Sequence, residues 1–146
     1  MMEQGRAPGV EMLGPSSPVR LGIELILARQ WAGLLALPIV IIDQERTVVY
    51  YNEPAEIVLG RRFDEAGPIP WTAWSTSFDL TTEEGDPLPV EELPLLAALI
   101  EVQPISRTIG MRSLTGTRRN IRNIGIPLLT REDGVRGVIG IFWVLT

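Results

Sequence analysis

The sequence predicts an α+β fold: strands joined by short turns, short helices between them, and an apolar N-terminal helix that must cover something. Three features predict it. The segments 39–51 and 105–129 read as strands joined by short polar turns. Residues 18–32 carry apolar side chains at helical spacing. Finally, 38–43 and 138–145 are apolar at consecutive positions, as in strands buried on both faces.

Taken in order, residues 1–16 hold Gly5, Pro8, Gly9, Gly14 and Pro15 with no hydrophobic period, and read as a tail. Ser17-Pro18 is a helix start, a hydroxyl cap before a proline at the first helical position. The helix predicted from Pro18 to Ala32 puts Leu21, Leu25, Ala28 and Ala32 on one stripe, widened by Val19, Ile23, Ile26 and Leu27; Gly33 stops it. The period then changes. Pro38 to Asp43 is a β-branched run, Gln44-Glu45-Arg46 a turn, and Thr47 to Tyr51 a second strand. Asn52 caps a short helix whose positive end suits Glu53 and Glu56 and which Gly60 closes. Residues 61–90 read as irregular, with Trp71, Trp74 and Phe78 and an acidic turn at Glu83-Glu84-Gly85-Asp86. An apolar helix is predicted from Glu91 to Val102, with Pro94 tolerable near its first turn. Three strands follow, the first with Ile105, Arg107, Ile109 and Met111 on one face, the others at 118–129 and 138–145, separated by turns at 114–117 and 132–134. The domain organisation expected is a tail over 1–16, a helix for cover or dimerisation over 17–33, and one domain over 34–146.

Composition removes much chemistry. The 146 residues suffice for one domain with a real core. With no Cys there is no disulfide, thiolate metal site, thiol nucleophile or cysteinyl–flavin adduct. With no His the commonest general base and metal ligand are missing, and with no Lys a Schiff base is excluded. The net charge of −5 argues against nucleic acid as a partner. Residues 1–105 hold 16 acids and 6 arginines, whereas 106–146 hold 2 acids and 7 arginines, so the two regions complement each other in sign. The longest apolar run, Trp31 to Ile42, has 12 residues where a spanning helix needs about 20. A cytoplasmic protein without a membrane anchor is expected.

A family resemblance rests on several segments in order. They are Leu37-Pro38-Ile39-Val40-Ile41-Ile42-Asp43; Val48-Val49-Tyr50-Tyr51-Asn52-Glu53-Pro54-Ala55-Glu56 with Leu59-Gly60; Gly85-Asp86-Pro87-Leu88-Pro89 with Glu91-Glu92-Leu93-Pro94-Leu95 and Ala98-Leu99; and Gly116-Thr117-Arg118-Arg119, Pro127-Leu128, Gly134, Gly137 and Phe142-Trp143. Over residues 34–146 the chain resembles a PAS domain, a sensor fold common in bacterial signalling. The resemblance implies a five-stranded antiparallel sheet in the order 2-1-5-4-3, with short helices on one face and the N-terminal helix covering the other. It implies a stand-alone sensory or protein-interaction module that acts on an unidentified signalling partner. The sequence departs from the family at Val144-Leu145-Thr146, where many relatives carry an acid at the first position, and at Ile100-Glu101, where many have Gly-Glu. A stand-alone module, with no effector domain after it, is therefore expected.

The candidate cavity residues are Tyr50, Asn52, Trp71, Trp74, Phe78, Leu96, Leu99 and Trp143, lining a site for a small apolar or aromatic ligand. Each has a structural alternative: core filling for the apolar groups, helix capping for Asn52, a dimer contact for Trp143. Leu21, Leu25, Ile26 and Ala28 are the candidate interface of a homodimer, because an apolar outer sheet face requires cover from its own chain or from a second copy. Asp43 reads as a turn residue, and Glu83, Glu84 and Asp86 as a solvated turn rather than a metal site. Arg107, Arg112, Arg118, Arg119 and Arg122 crowd one hairpin, either as an anion-binding face or as edge-strand charges. No residue pattern names a cofactor, and no paired-acid spacing marks a catalytic site; a small pocket enzyme on a similar cone-shaped scaffold and a purely structural dimerisation domain are the alternatives.

Overall fold

The structure, a computed structural model, describes residues 22–130 and 134–145. The tail, the Ser17-Pro18 start, Leu21, Thr146 and the turn at 132–134 other than Gly134 lie outside the described residues.

The sheet is antiparallel throughout. Its strands are β1 (Ile39–Asp43), β2 (Thr47–Tyr51), β3 (Ile69–Pro70), β4 (Thr81–Thr82), β5 (Ile105–Arg112), β6 (Arg118–Thr130) and β7 (Gly134–Val144), in the spatial order β3-β2-β1-β7-β6-β5-β4. It therefore has seven strands rather than the five expected. The two extra ones are two-residue edge strands, too short to carry a hydrophobic alternation in the sequence. β7 also starts earlier than expected, because Gly134, Val135 and Gly137 pair with the end of β6, and Gly137 with Asp43, despite the weak strand propensity of the two glycines.

The helices are α1 (Ile23–Ala32), α2 (Glu53–Leu59), α3 (Phe63–Ala66), α4 (Trp71–Ser77) and α5 (Pro94–Glu101). Asn52 and Gly60 bound α2 as expected, Gly60 in the left-handed conformation at φ 85°. The segment 61–90 is more ordered than its sequence suggests. In α4 the Trp, Thr and Ser residues are weak helix formers, but Trp71 and Trp74 are buried on one side, and Thr76 and Ser77 donate hydroxyl hydrogens to carbonyls one turn back. The helix expected from Glu91 is split: Val90–Glu92 form one 3₁₀ turn, and α5 begins with Pro94 at its first position, where no amide hydrogen is needed.

β1 lies between β2 and β7 and is buried at every position. Val40 and Ile42 face the main core, beneath α2, α4 and α5. Ile39 and Ile41 face a second, smaller core with Val49 and Ile139, closed by Leu25, Ala28 and Ala32 of α1. The cover for the outer face thus comes from the same chain. On the inner face, α5 approaches the sheet closely over two glycines that are register partners, Gly125 and Gly140. A Cβ on Gly125 would stand 2.6 Å from the Pro94 carbonyl oxygen, and one on Gly140 would stand 2.5 Å from Leu95. Among the described residues no helix is long and apolar enough to cross a membrane.

Gly125→Ala should force α5 off the sheet and destabilise the protein by about 1–3 kcal/mol. Chemical denaturation measures the loss, and a change of a few tenths would mean that the helix is not held this closely.

Candidate functional site

An internal cavity lies between the sheet and the helices. Trp71, Trp74 and Phe78 form one wall, Val40, Ile109 and Met111 belong to the sheet side, and Leu59 and Leu95 come from α2 and α5. Its volume is about 30 Å³. That is room for a water molecule or two, whereas small-molecule pockets run to about 300–1,000 Å³. The aromatic side chains themselves fill the space: Trp71 and Trp74 are stacked with centroids 6.4 Å apart, and Trp74 and Phe78 stand 4.6 Å apart.

Two of the lining residues carry polar groups, Trp71 and Asn123. The indole N–H of Trp71 is buried and has no hydrogen-bond partner among the described residues, an unusual state for a buried donor. Asn123 lines the cavity from β6, nearly buried, and its Nδ2 donates to the Ile141 carbonyl at 3.4 Å. Sequence reasoning missed Asn123. The signal was present in the alternation of β6, where Ile121, Asn123 and Gly125 share the inward face.

The other sequence-derived candidates stand elsewhere. Tyr50 faces α1, not the cavity. β1 pairs with β2 through a bulge, with Ile41 opposite Tyr50 and Ile42 opposite Val48, so the extra residue Val49 moves the inward position from Tyr50 to Tyr51. Asn52 is 1% exposed and fully engaged. Its Oδ1 accepts from the amides of Ile39 and Ala55, and its Nδ2 donates to the carbonyls of Ala32 and Leu37. Nothing remains for a ligand. Leu96 and Leu99 are buried in the main core, but it is Leu95 that reaches the cavity. Trp143 lies on the face of β7 opposite Phe142 and is 37% exposed. Among the interface candidates, Leu25 and Ala28 are buried against their own sheet and present no free surface, whereas Ile26 is exposed.

At the level of sequence, no family model and no curated protein matches the chain. Solved structures do match. The PAS domain of Bordetella pertussis BvgS is 19% identical, with a TM-score of 0.63 over 86% of this chain and 88% of that one. A PAS domain from Colwellia psychrerythraea is 18% identical, with a TM-score of 0.61 over 84% and 97%. The Rhodobacter sphaeroides LOV protein is 13% identical, with a TM-score of 0.66 over 84% and 68%.

The chain has a PAS fold.

On this PAS fold the arginine-rich hairpin β5–β6 is partly neutralised by the loop after α4. Asp79, itself in the left-handed region at φ 47°, receives hydrogen bonds from Arg112 and, at 3.0 Å, from Arg118; Arg118 also bonds the Thr81 hydroxyl. Arg107 pairs with Glu92 at 3.6 Å, and Arg122 donates to Thr108. The hydrogen bond from Arg112, with Arg118 adding to it, holds the Asp79 carboxyl below the usual range. Burial pushes the Tyr51 phenol up to about 12, and its hydroxyl donates to the Arg61 carbonyl.

Because the Asp79 pKa is depressed on folding, its stabilising effect is present above the unfolded value and disappears as pH falls through the folded one. Asp79→Asn should therefore show a shallower loss of stability between about pH 5 and pH 2 than the parent protein. Half-exposed as the pair is, the difference will be small, and identical acid limbs in denaturation curves would contradict it.

Proposed function

We propose that the protein is a cytoplasmic sensory and protein-interaction module of bacterial signal transduction that works as a homodimer and acts on a signalling partner. The observation that carries this reading is the second face of α1. One stripe, Leu25, Ala28 and Ala32, closes the outer core. Another, Ile23, Leu27 and Trp31 at four-residue spacing, is 62%, 56% and 49% exposed. On the outer face of the sheet, Ile126 and Trp143 are also exposed. Apolar surface of this kind marks a protein contact rather than a solvated face. A second copy of the chain supplies a matching apolar surface by two-fold symmetry.

The internal cavity supports a ligand role of restricted kind. A small apolar or aromatic molecule enters if Trp71, Trp74 and Phe78 swing aside, and an acceptor on it would satisfy the Trp71 N–H. The filled state of the core supports a second reading, a structural dimerisation domain with no ligand. Native mass spectrometry separates them, since a dimer with retained small-molecule mass supports the first and a bare dimer the second.

Leu27→Asp and Trp31→Asp should each convert dimer to monomer in sedimentation experiments. Leu25→Ala should leave the dimer intact but cost about 2–5 kcal/mol of folding stability. A monomeric parent protein would overturn the dimer reading.

A further inference from the structure

β5 carries a stretch of open sheet edge. It pairs with β6 along its whole length, but on its other side β4 supplies only two partners, Thr81 for Gly110 and Thr82 for Ile109. The chain then turns away through Gly85 at φ 93°, whose amide donates to the Thr82 carbonyl. Ile105 to Thr108 have no strand beside them on that side among the described residues. Two hydrogen bonds fix where their backbone groups point. Arg112 donates its amide outward, to the Phe78 carbonyl, and the register with β6 has no shift, so Thr108 and Ser106 turn their amides and carbonyls the same way. On β6, the Asn120 carbonyl accepts from Leu145 on the β7 side, which gives the same phase. These four edge groups have no partner among the described residues. A groove of about 350 Å³ borders them. Ser106, Arg107, Thr108 and Arg122 line it from the hairpin, and Glu83 and Glu84 from the turn after β4.

We infer that the edge of β5 at residues 105–108 is a strand-addition site for an extended segment of a partner protein, one that starts with a basic residue and then carries two consecutive carboxylates. The main-chain groups supply the affinity, and the charges in the groove supply the register. A segment antiparallel to β5 continues the line of β4. It starts beside Glu83 and Glu84, which attract a basic side chain. It then passes Arg107 and Arg122. The Arg122 guanidinium donates to the Thr108 hydroxyl at 3.1 Å and has no carboxylate partner among the described residues, while Arg107 has Glu92 at 3.6 Å. Arg122 shares the face of its register partner Thr108, and Arg107 lies on the other face. Neighbouring residues of a strand face opposite sides, so two consecutive carboxylates meet both arginines. A second copy of the chain is the poorer occupant. The register that uses all four edge groups sets Arg107 of one copy directly opposite Arg107 of the other, and like charges so placed repel. The inference names the kind of partner that the interaction-module reading requires, and rests on that reading.

The probe is a fluorescein-labelled peptide, Lys-Thr-Glu-Glu-Val-Thr, followed by anisotropy and by residue-resolved amide exchange on the full chain. At saturation it should slow exchange of the Ser106 and Thr108 amides about tenfold and leave Arg107 and Ile109, which point to β6, nearly unchanged. Arg122→Glu should weaken the peptide about tenfold, and Arg119→Glu, the same charge change outside the groove, less than about twofold. Ser106→Pro removes one edge amide with no change of charge and should weaken it as well. The same peptide with lysines in place of both glutamates should not bind. The probe needs neither a second copy nor a core ligand, so a dimer that ignores it overturns this inference alone, and a monomer that binds it overturns only the dimer. Absence of binding at millimolar peptide, equal losses in Arg122→Glu and Arg119→Glu, or binding without alternating protection would overturn the proposal. So would protection of Ser106 and Thr108 that rises with protein concentration in the absence of peptide, which would give the edge to a second copy.

Discussion

Burial of β1 on both faces is the constraint on which the rest of the structure depends. Five consecutive residues, Ile39 to Asp43, are buried, and their side chains alternate between two cores. A sheet with such a strand at its centre needs a layer in front and a layer behind. The front layer is α2, α4 and α5 with the aromatic cluster; the back layer is α1. Each buried β-branched side chain is worth about 1.5–3 kcal/mol relative to exposure, so leaving either face bare would remove a large part of the stability of a domain this size.

Asn52 ties these layers at one corner. It caps α2, bonds the first residue of β1 and accepts no substitute easily, because its two donors and its acceptor serve four backbone groups at once. The central cavity is correspondingly tight, and its lining is apolar and aromatic apart from the carboxamide of Asn123. The space left open there is about 30 Å³, room for a water molecule or two.

Much of this was legible in the sequence where local chemistry and tertiary packing agree. The β1–β2 hairpin, the Asn52 cap and the Gly60 stop read directly, since each needs that residue type at that position. The wall formed by Trp71, Trp74 and Phe78 was also visible as residues, though not as a helix, because nothing in Trp-Thr-Ala-Trp-Ser-Thr-Ser favours one until the tryptophans are buried. Tyr50 was misplaced for a specific reason. Strict alternation puts Val48 and Tyr50 on one face, and the bulge at Val49 breaks that count. β3 and β4 leave no sequence pattern, and Leu25 and Ala28 could not be assigned to their own sheet or to a partner from spacing alone.

Neighbouring positions on β1 offer the most direct test of the two-layer account. Ile41 points to the outer core and Ile42 to the inner one. Denaturant unfolding of Ile41→Ala and Ile42→Ala should reveal losses of similar size, about 2–5 kcal/mol each. If Ile41→Ala instead falls within about 0.5 kcal/mol of the parent protein, as a surface substitution does, then α1 does not cover the sheet and the account is contradicted.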